Sequence, residues 1–208
     1  MGQKIRQPDS QLPTVGGEVV SSYGYVRRQK WTAPDAAAND AVHAAITLLT
    51  TVQDITAAIT NPDFPRIVTI TGTKAGGSLT GNVVITGTNI RGEVITDTIA
   101  INTNDSTVSG VKAFKTVTNI HLPVRATSGD TVKVGTSEAL GLDRCMSGNE
   151  VLVVTVDGVK ETTAPTVTFD TDEVEKNTML PDTGENASGN YAVVYVATEV
   201  TSKRHTTA

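Results

Sequence analysis

The chain of 208 residues has a single cysteine, Cys145, and three histidines, His43, His121 and His205. One cysteine cannot form an internal disulfide, and no group of Cys and His residues has the spacing of a zinc site. A lone cysteine of this kind is most often a buried, inert thiol, so we predict a structural role for Cys145. These shortages exclude a disulfide-stapled scaffold.

Long apolar runs are also missing. No segment approaches the roughly 18 apolar residues of a membrane span, and residues 1–13 lack the apolar region of a secretory leader. Aromatic residues make up only 4% of the chain, too few for a stacking platform that binds bases. We therefore expect no membrane association and a protein that is used without export.

The motifs of common enzymes are absent as well. The sequence has no HExxH motif, no GxSxG elbow and no phosphate-binding loop, and the three histidines are scattered. We therefore expect no enzymatic activity and no cofactor. The densest carboxylate group is Asp170, Asp172, Glu173 and Glu175. A solvated acidic loop is the favoured interpretation of it, and a calcium site, without EF-hand spacing, is the alternative.

Charge is distributed unevenly along the chain. The net charge is −5, yet residues 1–34 carry five basic and two acidic side chains, so this segment is at +3 and the remainder at −8. An acidic body argues against nucleic acid as a partner, because phosphate binding requires clustered Lys and Arg. A basic segment on an acidic body suggests contact with an acidic protein surface.

What the sequence has in abundance is β-branched residues, with threonine at roughly one position in six. The stretch GNVVITGTNIRGEVITDTIAI, residues 81–101, places Val, Ile and Thr on both sides of a glycine-containing turn and predicts a β-hairpin. Similar strand patterns, separated by Gly, Asn, Asp or Pro, continue from Phe64 to residue 200. They predict an all-β fold, a β-sandwich of jelly-roll or immunoglobulin-like type.

Residues 1–36 differ in composition and predict an extended N-terminal arm. They are rich in Pro, Gly and polar residues, yet hold three of the five Tyr and Trp residues. We predict that the arm binds a partner, although cover for the chain's own core is an equal alternative for its aromatic residues. The predicted partner-binding residues are Lys4, Arg6, Tyr23, Tyr25, Arg27, Arg28, Lys30 and Trp31.

The remaining chain divides into a main β-sandwich, residues 37–142, and C-terminal strands, residues 143–208, that complete or extend it. The alanine-rich segment near Pro34 to Asp40 predicts a short helical turn, because alanine favours helix. Extended chain is expected after it.

Several segments, in this order, resemble a structural-protein family of tailed bacteriophages associated with the virion head. They are ITNPDFPRIVTITG (59–72), GTNIRGEVITDTIAI (87–101), GVKAFKTVTNIHLP (110–123) and VKVGTSEALGL (132–142). Residues 150–170 and 190–197 are similar to the family's closing strands, so the resemblance covers about residues 42–197.

The resemblance implies a non-enzymatic virion protein that decorates or cements the capsid surface. Its partners would be the major capsid protein and other copies of the chain, with a homotrimer expected because decoration proteins commonly occupy threefold lattice points. A head–tail connector, tail or baseplate component is the nearest alternative. A carbohydrate-binding or adhesin module is a further one, which a body poor in aromatic residues disfavours.

Overall fold

The computed structural model describes residues 24–101, 106–182 and 189–198, and nearly all regular structure in these ranges is β. The only helical element in them is a short 3-10 turn, Val174–Lys176. The strands are β1 Gly24–Thr32, β2 His43–Thr47, β3 Gln53–Ile55, β4 Arg66–Thr73, β5 Asn82–Thr88, β6 Val94–Ala100, β7 Thr107–Phe114, β8 Thr116–Leu122, β9 Thr131–Gly141, β10 Val151–Val156, β11 Val159–Lys160, β12 Thr166–Thr168, β13 Thr178–Leu180 and β14 Asn190–Thr198. The predicted all-β, sandwich-like fold is confirmed.

The strands form three antiparallel sheets. Sheet I has the order β1-β14-β10-β11, and sheet II has the order β12-β13-β9-β4-β7 with β2 beside β9. Sheet III has the order β3-β8-β5-β6. Many of the paired strands are distant in sequence, as β1 and β14 are.

The hairpin predicted for residues 81–101 is formed by β5 and β6, which pair along their whole length without a register shift. Along β6, Ile95 and Ile99 are buried while Thr96 and Thr98 are exposed. A sheet with one solvent-exposed face needs this alternation. Threonine suits the exposed face because it is both β-branched and polar. The abundance of threonine therefore follows largely from the fold.

The first core lies between sheets II and III. Sheet II contributes Val68, Ile70, Val132 and Val134, each 0% exposed, and sheet III contributes the facing isoleucines, valines and leucines of β5, β6 and β8. Burial of these aliphatic side chains, worth roughly 1.5–3 kcal/mol each, holds the two sheets together.

A second core joins sheet I to the other end of sheet II. It contains Trp31 of β1, Leu140 of β9, Met179 of β13 and Tyr191 and Tyr195 of β14. Because β9 supplies residues to both cores, it connects the two halves of the molecule. The predicted division at residue 142 falls just after β9 and stays a prediction.

Two local predictions for the N-terminal third are corrected by the structure. Residues 24–32 of the predicted arm form β1, which pairs with β14 over nine residues. The predicted helical turn near Pro34 to Asp40 is extended chain followed by a tight turn. The carbonyl oxygen of Ala38 accepts hydrogen bonds from the backbone N–H groups of Ala41 (3.3 Å) and Thr136 (3.0 Å), and this contact with β9 overrides the helix propensity of alanine.

Candidate functional site

Five of the eight predicted partner-binding residues lie on β1. They are Tyr25, Arg27, Arg28, Lys30 and Trp31. The other three, Lys4, Arg6 and Tyr23, lie outside the described residues. Because successive side chains of a strand point to opposite faces, the structure separates the five into an inner and an outer group.

Trp31 belongs to the inner group. Its side chain is 1% exposed, and it lies opposite Tyr191 of β14, also 1% exposed, in the second core. A side chain without accessible surface cannot contact a partner while β1 stays in the sheet. The partner contact predicted for Trp31 is therefore replaced by a core contact, whereas Tyr25, 38% exposed at the other end of the inner face, keeps a free surface.

Arg27 is also directed inward, to a carboxylate at the end of β9. Its Nε donates a hydrogen bond to Oδ2 of Asp143 at 3.0 Å, and its Nη2 forms an ion pair with the same oxygen. The other carboxylate oxygen accepts a hydrogen bond of 2.5 Å from the hydroxyl of Tyr195. Asp143 thus connects β1, β14 and the segment after β9.

Gln29 completes this inner polar cluster. Its side-chain Nε2 donates to the carbonyl oxygen of Gly141 at 3.0 Å, and its Oε1 accepts from the backbone N–H of Asp143 at 2.9 Å. The side-chain amide of Gln29 thereby connects β1 to the end of β9, although these two strands do not pair with each other.

The charges of this cluster are mutually stabilised. Burial opposes ionisation of Asp143, but hydrogen bonds from Arg27 and Tyr195 outweigh it and lower the pKa of this carboxyl. The hydrogen bond to Asp143 raises the pKa of Arg27. Burial and the bond to Asp143 raise the pKa of the Tyr195 hydroxyl, so Tyr195 stays neutral and donates. Arg27 is therefore already paired and is not available as a free cation.

Arg28 and Lys30 form the outer group, together with Val26. All three side chains are exposed, Val26 by 57%. No acidic residue of the described ranges forms an ion pair with either cation. The sequence placed Arg27, Arg28 and Lys30 in one basic cluster, but among the described residues Arg27 has an acidic partner and the other two have none.

The outer face of sheet I continues from β1 onto β14. Val196 lies opposite Val26 and Val194 lies opposite Arg28, and both β14 valines are half-buried. We call Val26, Arg28, Lys30, Val194 and Val196 the β1 surface. It combines apolar contact area with two positive charges that no carboxylate of the described ranges neutralises.

The position of β1 in sheet I adds backbone groups that no other described strand pairs with. It is the terminal strand of sheet I, and within the described ranges β14 is its only strand partner. A terminal strand presents every second pair of N–H and C=O groups to its free side, where another extended chain can pair with them.

The acidic segment 170–175 is engaged internally. Oδ1 of Asp170 accepts from the backbone N–H groups of Asp172 (2.8 Å) and Glu173 (2.9 Å), which lowers the pKa of this carboxyl. Glu173 and Glu175 both contact Nζ of Lys112, at 2.9 and 3.5 Å. Since Glu175 is only 7% exposed, the favoured interpretation of a wholly solvated loop is wrong for this residue.

Other candidate chemistry is sparse. His121 lies 2.9 Å from the carboxylate of Asp54 at the surface, and Cys145 is 2% exposed, as the prediction of a buried thiol required. Burial raises the pKa of this thiol, which makes it a poor nucleophile. Nowhere in the three described ranges do three His, Cys, Asp or Glu side chains meet so that they could hold a metal ion.

Comparison of the chain with protein-family models, with curated proteins and with solved structures found no match. In the part of the chain that the structure describes, no helix is long and apolar enough to cross a membrane. The site must therefore be interpreted from its own geometry, and the β1 surface is the candidate that this geometry defines.

Proposed function

We propose that the chain is a non-enzymatic structural protein of a tailed-phage virion that decorates or cements the outer capsid surface. The observation that carries the proposal is the β1 surface, where Arg28 and Lys30, which form no ion pair with the described residues, lie beside exposed Val26 on the edge of a packed sheet. The rest of the chain is acidic, so these cations stand out as a local contact site. The resemblance of residues 42–197 to head proteins supplies the class of virion protein.

The internal pairing of several carboxylates supports a structural role. Asp143, Glu173 and Glu175 are held by Arg27, Lys112 and hydrogen-bond donors of the same chain. A protein that coats a shell in many copies needs a stiff body and repeated modest contacts more than a reactive site. The two packed cores provide the stiffness, and the β1 surface provides the contact.

The proposed partners are the major capsid protein and other copies of the chain. Occupation of threefold lattice points would make the attached form a homotrimer, since closed symmetry leaves no open interface for further growth. A connector, tail or baseplate protein could use the same surface chemistry, but it would occur at one vertex or along one tube.

The experiment is cryo-EM of intact particles of the phage that carries this coding sequence, with the chain located by antibody labelling. The proposal expects density for the β body in hundreds of copies on the capsid surface, grouped around threefold points. Label confined to a single vertex or to the tail would favour the connector or tail alternative. Particles that lack the chain would overturn the virion assignment.

A further inference from the structure

No strand of the described residues covers the outer edge of β1, and this edge has a property that a general contact surface does not require. Its backbone N–H and C=O groups can pair with one added strand. The charges of its side chains determine which sequences that strand can have. We propose that β1 binds an extended acidic segment of a partner protein, which adds to sheet I as a fifth, antiparallel strand. The inference deepens the proposed function by naming the chemistry of the partner, and it can be tested without particles.

The length of β1 supports strand addition. It pairs with β14 over nine consecutive residues, from Gly24 to Thr32, with no register shift. A regular strand of this length presents evenly spaced donors and acceptors on its free side, unlike an edge that a bulge has distorted. Inner contacts of Trp31, Gln29 and Arg27 fix the strand to the body, so the edge is held ready for pairing.

In the two registers of greatest overlap considered next, a second copy of β1 is a poor occupant of this edge. An antiparallel register centred on Arg28 would place two arginines directly opposite each other. A register centred on Gln29 would place Arg28 opposite Lys30 twice. Like charges that face each other across a strand pair are destabilising, and cations on an edge strand are a common protection against self-association.

The same charges select an acidic segment instead. Arg28 and Lys30 are two positions apart and therefore lie on one face, and Val26, two positions before Arg28, lies on the same face. An antiparallel strand that matches them has a carboxylate opposite Lys30, a second carboxylate opposite Arg28 and an apolar residue opposite Val26. The expected partner motif alternates in the order acidic, any, acidic, any, Val or Ile.

The test measures binding of short labelled peptides to the full chain by fluorescence anisotropy at low ionic strength. The matching peptide has seven residues, with glutamates at its second and fourth positions and valine at its sixth. One control peptide replaces both glutamates by lysine. Another carries N-methyl groups on alternate backbone amides, in two versions that each block one edge of the peptide.

Two protein variants distinguish the effect of the β1 surface on peptide binding from the effect of net charge. The double variant Arg28→Glu/Lys30→Glu should bind the matching peptide on the order of 10-fold more weakly, because two attractive pairs become repulsive. The control Lys115→Glu/Lys133→Glu changes the net charge equally, between β7 and β8 and on β9 of sheet II, and should retain binding within about 2-fold.

We expect the matching peptide to bind, the lysine peptide not to bind, and one of the two N-methylated versions to lose binding. Equal binding by Arg28→Glu/Lys30→Glu, binding that both N-methylated versions retain, or no binding of the matching peptide would each overturn the inference. If the variant fails to fold by circular dichroism, the peptide controls on the native chain decide. Peptide binding without particle decoration would overturn only the proposed function, and decoration without peptide binding would overturn only the inference.

Discussion

Arg27 on β1 and Asp143 after β9 form an ion pair across 116 residues of sequence. The pair joins sheet I to sheet II beside the second core. The basic residues of β1 therefore have different environments: Arg27 is held in this pair and stabilises the fold, while Arg28 and Lys30 are exposed. The stability of this junction and the binding chemistry of β1 can therefore be tested separately.

Replacement of Asp143 by alanine should lower the free energy of unfolding by about 1–3 kcal/mol, because the hydroxyl of buried Tyr195 loses its acceptor. Arg27→Met should cost at most about 1 kcal/mol, since the arginine side chain is 41% exposed and its ion pair is screened. Urea unfolding measures both. If Asp143→Ala matches the surface control Asp172→Ala, the junction contributes nothing.

Acidification should destabilise the protein below about pH 4. The pKa of Asp143 is lowered by Arg27 and Tyr195 against the opposing effect of burial, and the pKa of Asp130 is lowered by backbone N–H groups of Thr127 and Ala75. Each folded pKa lies below the ordinary value of 3.8, so the stabilisation is complete above that value and is lost as the pH falls through the folded pKa.

The measurement is the urea midpoint as a function of pH. The midpoint should stay nearly level from about pH 7 to pH 5 and fall below about pH 4. Asp143→Asn should show a shallower fall. A midpoint that rises on acidification would contradict the assignment of these carboxylates as ionised and bonded in the folded state.

Trp31 should act as a core residue and as a built-in probe. It is the only tryptophan, so its fluorescence in the folded chain should be blue-shifted and protected from iodide quenching. Trp31→Ala should destabilise the protein by about 3–5 kcal/mol, in the range for large aromatic truncations. Trp31→Phe should cost less, because the indole N–H has no hydrogen-bond partner among the described residues. Free access of iodide to Trp31 would place it outside the core.

Gly87 on β5 should not tolerate a side chain. A Cβ at this position would lie 1.9 Å from the carbonyl oxygen of Thr116 on β8, a backbone atom that cannot move away cheaply. Gly87→Ala should therefore destabilise the protein by more than about 2 kcal/mol. The matched control is Gly148→Ala, where no atom lies within 4 Å, and its effect should stay within about 0.5 kcal/mol. Similar melting temperatures for the two variants would contradict the close approach of β5 and β8.

Most of the strands could be predicted from local sequence, because their pattern is set by neighbours in the chain. The alternation of Ile95 and Ile99 with Thr96 and Thr98 identifies β6 without knowledge of its partners. The segment around Ala38 could not be predicted in this way, since its conformation depends on a hydrogen bond to Thr136 in a strand far along the chain.

The sequence did not predict that β1 is a strand of the sheet, and the reason is again long-range contacts. Its inner face contains Arg27 and Gln29, so the strand lacks an apolar alternation, and the acceptors that satisfy these side chains lie more than 100 residues away. One local signal was present: Trp31 lies six positions after Tyr25, and an even difference in position places two residues on one face of a strand. That spacing distinguishes Trp31, directed to the core, from Arg28 and Lys30, directed outward.

The most direct test of the proposed capsid role is cosedimentation of the purified chain with undecorated capsids of the tailed phage that the proposal expects to encode it. We predict that the native chain and Lys115→Glu/Lys133→Glu pellet with the capsids to the same extent, and that added salt weakens this binding. Arg28→Glu/Lys30→Glu should remain folded and stay largely in the supernatant. Undiminished binding of this variant, or no binding of the native chain at low salt, would contradict the account.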